Sequence, residues 1–407
     1  FDVAKAYEAM RKSATTPGAQ NRMRPDIDPY VEKGYVPLGF YARDLSGDNS
    51  VSHALEYYIA DHALSLLADS LGRREDAALF RNRSLGYKNY YSPESGTFRP
   101  ITGEGGFLTP FDPRQGENFE PVPGFHEGSA WNYTFYVPHD VYGLSKLMGG
   151  RRKFIAKLQM VFDEGLYDPA NEPDIAYPYL FSYFRGEEWR TQREVNRLLA
   201  KYFTTAPDGI PGNDDTGTMS AWAVFSMMGF YPDCPGEPYY TLTSPVFDRV
   251  TVTLDRKYYP AGELVIETKR PDSGAVYIRS MTLGGKPLKR YRIGHDELLR
   301  GERLTFELQN RQYIRLFRWI FVVSLLLVSS GVRAQTRLTR NGKPAARIVV
   351  AQQTAANLTA AQLLQRFVRE STGATLPLLH DVTPRKGDIL IGASDTAGLA
   401  EDGFRLR

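Results

Sequence analysis

Residues 211–222 read Pro-Gly-Asn-Asp-Asp-Thr-Gly-Thr-Met-Ser-Ala-Trp, a turn rich in glycine and carboxylates that leads directly into an apolar segment. The apolar positions from Ala221 to Met228 predict a helix there. Because a helix N-terminus carries unpaired N–H groups and a partial positive charge, it keeps the carboxylates of Asp214 and Asp215 ionised. An ionised carboxylate on a rigid turn suits a general base or an oxygen ligand for a hard cation. Capping of the helix by one Asp is the alternative interpretation.

Outside this turn, the first 238 residues carry the spacing typical of helices. Between residues 52 and 72, Leu55, Ile59 and Leu66 recur at helical intervals, and Gly72 provides a stop. Long segments rich in Gly, Pro and aromatic residues alternate with such stretches, which favours a helical toroid or bundle whose loops build one functional face. Further helical stretches are predicted at 75–91, 140–163 and 190–203, and long loops at 92–127 and 165–185.

The pattern changes after residue 238. Val250, Val252 and Leu254 alternate with polar residues, and the same period of two recurs twice more before residue 282. This alternation predicts β-strands. We therefore predict a mainly α fold in residues 1–238, followed by a β-rich module over 239–310.

Residues 311–334 have the composition of a secretory signal peptide. Arginines precede an apolar run from Trp319 to Val328, and small residues follow in the pattern of a cleavage site. A membrane anchor is a second interpretation, for which the run is short, and a membrane becomes a partner only if the segment is retained as that anchor. A buried core helix is a third interpretation, which the arginine-rich lead disfavours.

Residues 335–407 predict the start of an incomplete α/β domain. The charge also changes near this boundary: residues 311–407 hold 14 Lys and Arg against 6 Asp and Glu, whereas residues 1–310 hold 36 against 41. Both observations predict a composite chain, the end of one protein joined to the beginning of another. The basic tail lacks interleaved aromatic residues, so we predict no nucleic-acid partner. The elements expected in it are a strand at 347–350, an amphipathic helix at 358–370 and a strand at 388–392.

The overall composition is that of a soluble globular protein. Hydrophobic residues make up 42% and charged residues 24% of the 407 residues, enough for several domains with a large core. The single Cys234 excludes internal disulfides and disfavours a cysteine-based metal site. Aromatic residues at 13% suit sugar binding through ring faces, although a large core explains them equally well.

Polar groups also concentrate at other junctions between loops and helices. Taken singly, Glu127 is a routine carboxylate at the start of a helix. The order of several such junctions along the chain is more specific than any one of them. In that order the stretches are Leu55-Glu-Tyr57, His126-Glu-Gly-Ser-Ala-Trp131, Val137-Pro-His-Asp140, Met148-Gly-Gly150, Asn171-Glu-Pro173, Pro178-Tyr-Leu180, Thr191-Gln192, Gly209-Ile-Pro-Gly-Asn-Asp-Asp215, Met219-Ser-Ala-Trp222 and Gly229-Phe-Tyr-Pro232.

Together these stretches resemble glycoside hydrolase family 92, the calcium-dependent α-mannosidases, over about residues 1–310. The resemblance implies an (α/α)6 barrel with a small C-terminal β module. It also implies exo-hydrolysis of α-linked mannose in mannose-containing glycans, with inversion of configuration. Inversion needs two carboxyl groups roughly 6.5–9.5 Å apart, which the adjacent Asp214 and Asp215 cannot supply. By the same resemblance, Glu127 is the acid that protonates the leaving oxygen and Asp215 is the base. Asp214 and Asn213 then orient the water.

The resemblance also implies a calcium ion, Ca²⁺, that holds sugar hydroxyls. Asn171, Glu172 and Asn213 offer the oxygen ligands, although a direct contact with the sugar is an open alternative for them. His126 and His139 could bind sugar hydroxyls, although a packed or solvated histidine is the favoured interpretation for either, and core packing is favoured for Trp222. The predicted sugar contacts are His126, Trp131, Glu172 and Asn213.

Compared with that family, the sequence opens inside the barrel, and we expect a truncated catalytic region without the family's N-terminal β-sandwich. A catalytically inactive fragment that binds carbohydrate or serves a structural role is the alternative. The tail carries Arg340-Asn-Gly-Lys-Pro344 and Thr372-Gly-Ala-Thr-Leu-Pro377, and it weakly resembles the N-terminal accessory domain of glucuronidases and hexosaminidases. The expected location is the periplasm or the outside of the cell.

Overall fold

The computed structural model describes residues 1–18, 21–40, 48–116, 120–311, 339–340, 343–350, 355–372, 374–383, 385 and 388–391. The chain divides into two compact units, residues 1–315 and 316–407, each described here by itself. The predicted signal-like segment 311–334 lies outside the described residues except for Arg311. Among the described residues, no helix has both the length and the apolar character needed to cross a bilayer.

Helices dominate the first 230 residues of the first unit, as the sequence predicts. Three predicted helices are confirmed: those at 52–72 and 190–203, and the one that follows Asp214 and Asp215. The helices of this unit are α1 (Val3–Thr15), α2 (Ile27–Lys33), α3 (Ser50–Ser70), α4 (Arg74–Arg83), α5 (Ala130–Thr134), α6 (Val141–Leu147), α7 (Arg151–Asp163), α8 (Glu188–Tyr202), α9 (Thr218–Met228) and α10 (His295–Leu298).

The long helix α3 lies between two layers of side chains. On one side, Leu55 and Tyr58 join the main core of the unit, which is rich in Tyr and Phe. On the other side, Leu64 packs in a separate cluster with Tyr7 of α1 and Phe80 of α4. Burial on both sides explains why α3 has buried residues on more than one face, including the polar Asp61 and Ser65, since an outer layer of helices covers it.

Two of the predicted helical stretches are shorter than expected. The stretch 140–163 is two helices, α6 and α7, because Gly149 and Gly150 adopt φ values of 89° and 102° that end the first helix. The stretch 75–91 ends as an α-helix at Arg83 and continues as the 3₁₀ segment Ser84–Tyr90.

The predicted loops also contain short regular elements. A small hairpin is formed by β1 (Tyr91–Ser92) and β2 (Thr97–Phe98) in the first loop. The second loop holds the 3₁₀ segments Glu172–Asp174 and Tyr177–Tyr183.

The alternating residues after residue 238 form the predicted strands. A five-stranded sheet has the order β5-β6-β10-β7-β8, with β10 parallel to β6 and antiparallel to β7. A second sheet has the antiparallel order β3-β4-β9. The strands are β3 (Phe230–Tyr231), β4 (Tyr239–Leu242), β5 (Arg249–Thr253), β6 (Glu263–Lys269), β7 (Tyr277–Leu283), β8 (Lys286–Pro287), β9 (Arg292–Gly294) and β10 (Leu304–Gln309).

Helix α8 anchors this β module to the helical part through buried polar bonds. The side-chain oxygen of Gln192 accepts a hydrogen bond of 2.9 Å from the main-chain N–H of Ile278 in β7. One turn later, the amide of Asn196 donates to the hydroxyl of Ser244 at 2.8 Å. Thr191 and Gln192, which belong to the family-like stretches, therefore have a structural explanation, since the Thr191 hydroxyl accepts a bond from Ser182.

The described part of the second unit contains a small parallel sheet and one helix. The strand β13 (Ile348–Val350) pairs in parallel with β14 (Leu378–His380) on one side and β15 (Ile389–Ile391) on the other. The helix α11 (Ala355–Thr372) contributes Ala361 and Val368 to its core. A short hairpin, β11 (Thr339–Arg340) with β12 (Lys343–Pro344), precedes them. The two strands and the helix expected from the sequence are present.

Candidate active site

Three loops, each at the start of a helical segment, carry the predicted site residues. The first loop holds His126 and Glu127 and leads into α5, the second holds Asn171 and Glu172, and the third holds Asn213 to Asp215 before α9. Helix starts present N–H groups and a partial positive charge, so all three loops favour anionic side chains nearby.

The loop around Glu127 is fixed by bonds on both sides of it. The main-chain N–H of His126 donates to the hydroxyl of Ser52 at 2.9 Å, and the hydroxyl of Tyr133 donates to the His126 carbonyl at 2.6 Å. Ser129 then caps α5 in a capping box with Asn132. Glu127 itself has φ of 54° and a side chain that is 55% exposed, lying 3.5 Å from His126 Nε2. The backbone is rigid while the carboxyl group faces solvent.

Asn171 connects the Glu127 loop to the second loop. Its side-chain amide donates a hydrogen bond of 2.6 Å to the main-chain carbonyl of Glu127. The third loop touches the same place, because a Cβ atom built on Gly212 would lie 2.7 Å from the Cβ of Ala170, next to Asn171. Gly212 has φ of 70°, so both its conformation and its space require glycine. Asn171 therefore stands where the three loops meet.

The paired aspartates have different surroundings. One oxygen of Asp214 accepts two hydrogen bonds of 2.8 Å, from the main-chain N–H and the hydroxyl of Ser220 in the first turn of α9. The capping interpretation thus holds for this oxygen of Asp214. Asp215 has φ of 44°, followed by Thr216 at 56°. Within the described part of the chain, the carboxylate of Asp215 accepts no hydrogen bond.

Backbone strain marks the same loops. Among the described residues, four non-glycine positions have positive φ, and Glu127, Asp215 and Thr216 are three of them. Such conformations cost roughly 1–3 kcal/mol each and persist where the surroundings enforce them, often at functional sites. The strain coincides with the two carboxylates that the sequence assigns to acid and base.

Glu56 is a site residue that the sequence analysis did not assign. It lies on α3, where it accepts a hydrogen bond of 2.9 Å from the hydroxyl of Tyr136. Desolvation raises the pKa of Glu56, and the negative charge of Glu172 raises it further. The residue is nevertheless exposed, so its carboxyl group can reach a ligand in solvent. The sequence did contain a signal for Glu56, because Leu55-Glu-Tyr57 is one of the stretches that resemble the family and places a carboxylate between two large apolar or aromatic residues.

Two aromatic residues near the site are part of the core. Trp131 was predicted to contact sugar, but it is only 8% exposed and packs in the main core, because the first turn of α5 directs it inward. The contact of Trp131 with sugar therefore stays a prediction, made for a side chain of which only a small part reaches the surface. Trp222 is buried as expected, with its indole N–H bonded to the carbonyl of Ile175 at 2.9 Å. His139 is packed as well, and burial lowers its pKa to about 4.

The predicted calcium ligands are compatible with a hard cation. In the described residues, no group of three or more His, Cys, Asp and Glu side chains could hold a metal, so any site depends on amide or carbonyl oxygens. The side-chain N–H of Asn171 donates to the main-chain carbonyl of Glu127, which leaves the side-chain oxygen of Asn171 for another partner. Desolvation raises the pKa of Glu56, and the negative charge of the exposed Glu172 adds to that rise, a repulsion that a cation would relieve. Asn213 is exposed on the third loop.

Two carboxyl groups are the side chains that most glycoside hydrolases use for acid and base. The chain belongs to glycosyl hydrolase family 92, whose catalytic-domain model matches residues 1–310. A curated relative from Arthroderma benhamiae, described as an uncharacterized secreted glycosidase, is 29% identical over 329 residues, which is 74% of this chain and 42% of the relative.

Solved structures of the same family are also similar to this chain. The family GH92 α-mannosidase BT3965 from Bacteroides thetaiotaomicron, in complex with mannoimidazole, superposes with a TM-score of 0.68 and 28% identity over 77% of this chain and 42% of that one. The family GH92 inverting mannosidase BT2199 from Bacteroides thetaiotaomicron VPI-5482 gives a TM-score of 0.67 and 31% identity over 77% and 44%. The chain spans less than half the length of these relatives.

Proposed function

We propose that residues 1–310 form part of the catalytic region of an exo-acting α-mannosidase that releases α-linked mannose with inversion, assisted by calcium. The observation that carries the proposal is the bond from Asn171 to Glu127, at the point where the Asp215 loop also packs. The similarity to two α-mannosidases, one of them an inverting enzyme, supports the substrate class and the stereochemistry.

In this mechanism Glu127 is the general acid. Its exposed carboxyl group transfers a proton to the glycosidic oxygen as the bond from that oxygen to the anomeric carbon breaks. The positive φ of Glu127 turns the side chain away from the buried capping network of α5 and toward solvent. Asn171 holds the carbonyl of the same residue, so the carboxyl group is presented by a fixed backbone.

Asp215 is the proposed general base. It takes a proton from the water that attacks the anomeric carbon on the face opposite the leaving group. Its carboxylate has no hydrogen-bond partner within the described residues, whereas one oxygen of Asp214 is committed to α9. Asp214 therefore fixes the turn through that oxygen, and Asn213 is the neighbour proposed to orient the water.

Calcium would be held by Asn171, Glu172 and Asn213, with Glu56 as a further oxygen donor beside them. When bound, a hard cation supplies attraction for sugar hydroxyls. The protein's own contribution is to place these oxygens on the loops that carry Glu127 and Asp215. His126 and Glu172 are the proposed direct sugar contacts.

The proposed substrates are mannose-containing glycans outside the cytoplasm, in the periplasm or the medium. The description of the curated relative as a secreted glycosidase supports this location. In the tail, the signal-like segment 311–334 supports export of residues 335–407.

The deciding experiment compares wild type with Glu127→Gln on two mannosides. We expect wild type to hydrolyse both mannobiose and dinitrophenyl mannoside, and Glu127→Gln to lose mannobiose hydrolysis by about 100-fold or more while retaining most activity on the activated substrate. NMR should show β-mannose as the first product. The assay uses this chain and a chain extended to the length of its relatives. Binding of mannose by calorimetry without hydrolysis in either would instead support the carbohydrate-binding alternative.

A further inference from the structure

A second carboxyl group of the middle loop lies entirely inside the protein. Asp174 has no exposed surface, and one of its oxygens accepts hydrogen bonds from the side-chain amide of Asn132 at 2.9 Å and the main-chain N–H of Asp168 at 2.8 Å. Its other oxygen is buried without a partner in the described structure. A carboxyl group buried with one unpaired oxygen is costly, so its retention calls for a physical reason.

The two donors of Asp174 belong to different parts of the site. Asn132 is the capping-box partner of Ser129, whose main-chain N–H it binds at 2.8 Å, two residues after Glu127. Asp168 precedes the loop that carries Asn171, and its N–H bond closes that loop back on itself. Asp174 thus joins the base of the Glu127 loop to the base of the Asn171 loop.

The short 3₁₀ segment Glu172–Asp174 therefore supports the Glu127 loop at two points. Asn171, just before the segment, binds the carbonyl of Glu127, and Asp174, at its end, binds Asn132 in α5. The two contacts lie on either side of Ser129, where α5 begins. Both contacts fix the C-terminal side of Glu127, and the bonds of His126 to Ser52 and Tyr133 fix its N-terminal side, so the strained φ at Glu127 is held from both flanks.

We propose that Asp174 is a positioning residue for Glu127, which acts through Asn132 and the start of α5 to fix the direction of the acid. The inference rests on the proposed function for its catalytic meaning. Its structural part is independent of that function: Asp174 keeps residues 126–132 in a fixed conformation whether or not the chain hydrolyses a mannoside.

In this role Asp174 acts as a hydrogen-bond acceptor for Asn132, not as a buried charge. No ion pair to Asp174 is present among the described residues, and its two bonded partners are a neutral amide and a main-chain N–H. The interaction with Asn132 needs an acceptor oxygen and not a charge. Asn at position 174 retains such an oxygen in the same shape, whereas Ala removes it and leaves the Asn132 amide unpaired.

The test compares Asp174→Asn, Asp174→Ala and a control, Asp233→Ala. Asp233 is also a buried carboxyl group with two donors, Tyr183 and Thr241, both at 2.7 Å, but these lie where the helical part meets β4. For each variant, hydrogen exchange is followed at residues 126–132. The ratio of kcat/KM for mannobiose to that for dinitrophenyl mannoside is measured in parallel.

We expect Asp174→Ala to accelerate hydrogen exchange at 126–132 by about tenfold or more and to reduce the mannobiose ratio by about 100-fold, the scale of a displaced general acid. Asp174→Asn should restore both quantities to within about threefold of wild type, and Asp233→Ala should change neither. Unchanged exchange in a folded Asp174→Ala, or failure of Asp174→Asn to restore it, overturns the proposal. Absence of wild-type hydrolysis defeats the proposed function alone, because the exchange result still decides the role of Asp174.

Discussion

The side-chain amide of Asn171 lies 2.6 Å from the main-chain carbonyl oxygen of Glu127, to which it donates a hydrogen bond. The bond connects two segments 44 residues apart in sequence and fixes the peptide that follows a residue with positive φ. A neutral amide is required, because it donates a proton where a carboxylate would meet the carbonyl oxygen with like charge.

Asn171→Asp should therefore lower kcat on mannobiose by about 100-fold, since the new carboxylate repels the Glu127 carbonyl and releases the acid loop. The control is Asn196→Asp, in which an amide that donates to the carbonyl of Gln192 at 2.9 Å is changed in the same way. Both variants should lose stability by about 1–3 kcal/mol in urea unfolding, but only the first should lose activity. Retained activity with tighter calcium binding would show that Asn171 acts chiefly as a ligand.

Substitutions of the two adjacent aspartates should have different effects, one on stability and the other on catalysis. Asp214→Ala removes the cap on Ser220 and should lower the free energy of unfolding by about 1 kcal/mol. Asp215→Asn keeps a residue that tolerates positive φ and should leave stability within about 0.5 kcal/mol while abolishing turnover. Thermal unfolding and mannose release on the same samples give the comparison. If Asp215→Asn retains turnover, Asp215 is not the base.

Asp174→Asn should change how stability depends on pH. The pKa of Asp174 is raised in the folded protein, above an unfolded value of about 4, so the folded state binds this proton more tightly. Wild type therefore has the full stability of the protonated group below about pH 4 and loses it as pH rises toward the folded pKa. Asn does not titrate, so the advantage of the variant should grow above pH 4, by at most about 1.4 kcal/mol per pH unit.

Urea unfolding of wild type and Asp174→Asn at pH 4, 6 and 8 provides that measurement. The groups that face Asp174 are Asp168, Tyr133, Tyr167 and Tyr177, and they are common to both proteins. Parallel stability curves for the two proteins would mean that Asp174 is ionised in the native state.

Calcium removal should lower the rate reversibly. We expect a chelator to suppress mannose release and added calcium to restore it, with Glu172→Gln and Glu56→Gln each weakening calcium binding by about tenfold or more in calorimetry. The control is Glu237→Gln, which changes a partly exposed glutamate bound to His62 at 3.0 Å. Rates that are indifferent to the chelator would contradict the calcium role.

Local sequence pattern predicted the elements of the fold where one periodicity persists. Helix α3 and strand β6 follow directly from their apolar spacing. The break between α6 and α7 was missed, because apolar residues continue at helical spacing across Gly149 and Gly150, although the pair of glycines was itself the signal for a left-handed turn.

The sequence predicted the site residues that belong to local motifs, but not those whose role depends on contacts between distant segments. The family resemblance indicated Glu127 as the acid and Asp215 as the base, and the structure has both residues at positive φ. The sequence could not indicate Asp174, whose burial depends on Asn132 and Asp168 from separate parts of the chain. Nor could it indicate that Trp131 turns inward, since an aromatic residue beside a polar loop suits a sugar or a core equally well.

The strand order of the β module has a consequence for biosynthesis. Strand β10 is the last strand of the five to leave the ribosome, yet it lies in the centre, between β6 and β7. Until residues 304–309 emerge, both neighbours keep an open edge with unpaired N–H and C=O groups, which is where newly made chains stick to one another. The five-stranded sheet can therefore close only after translation has passed β10.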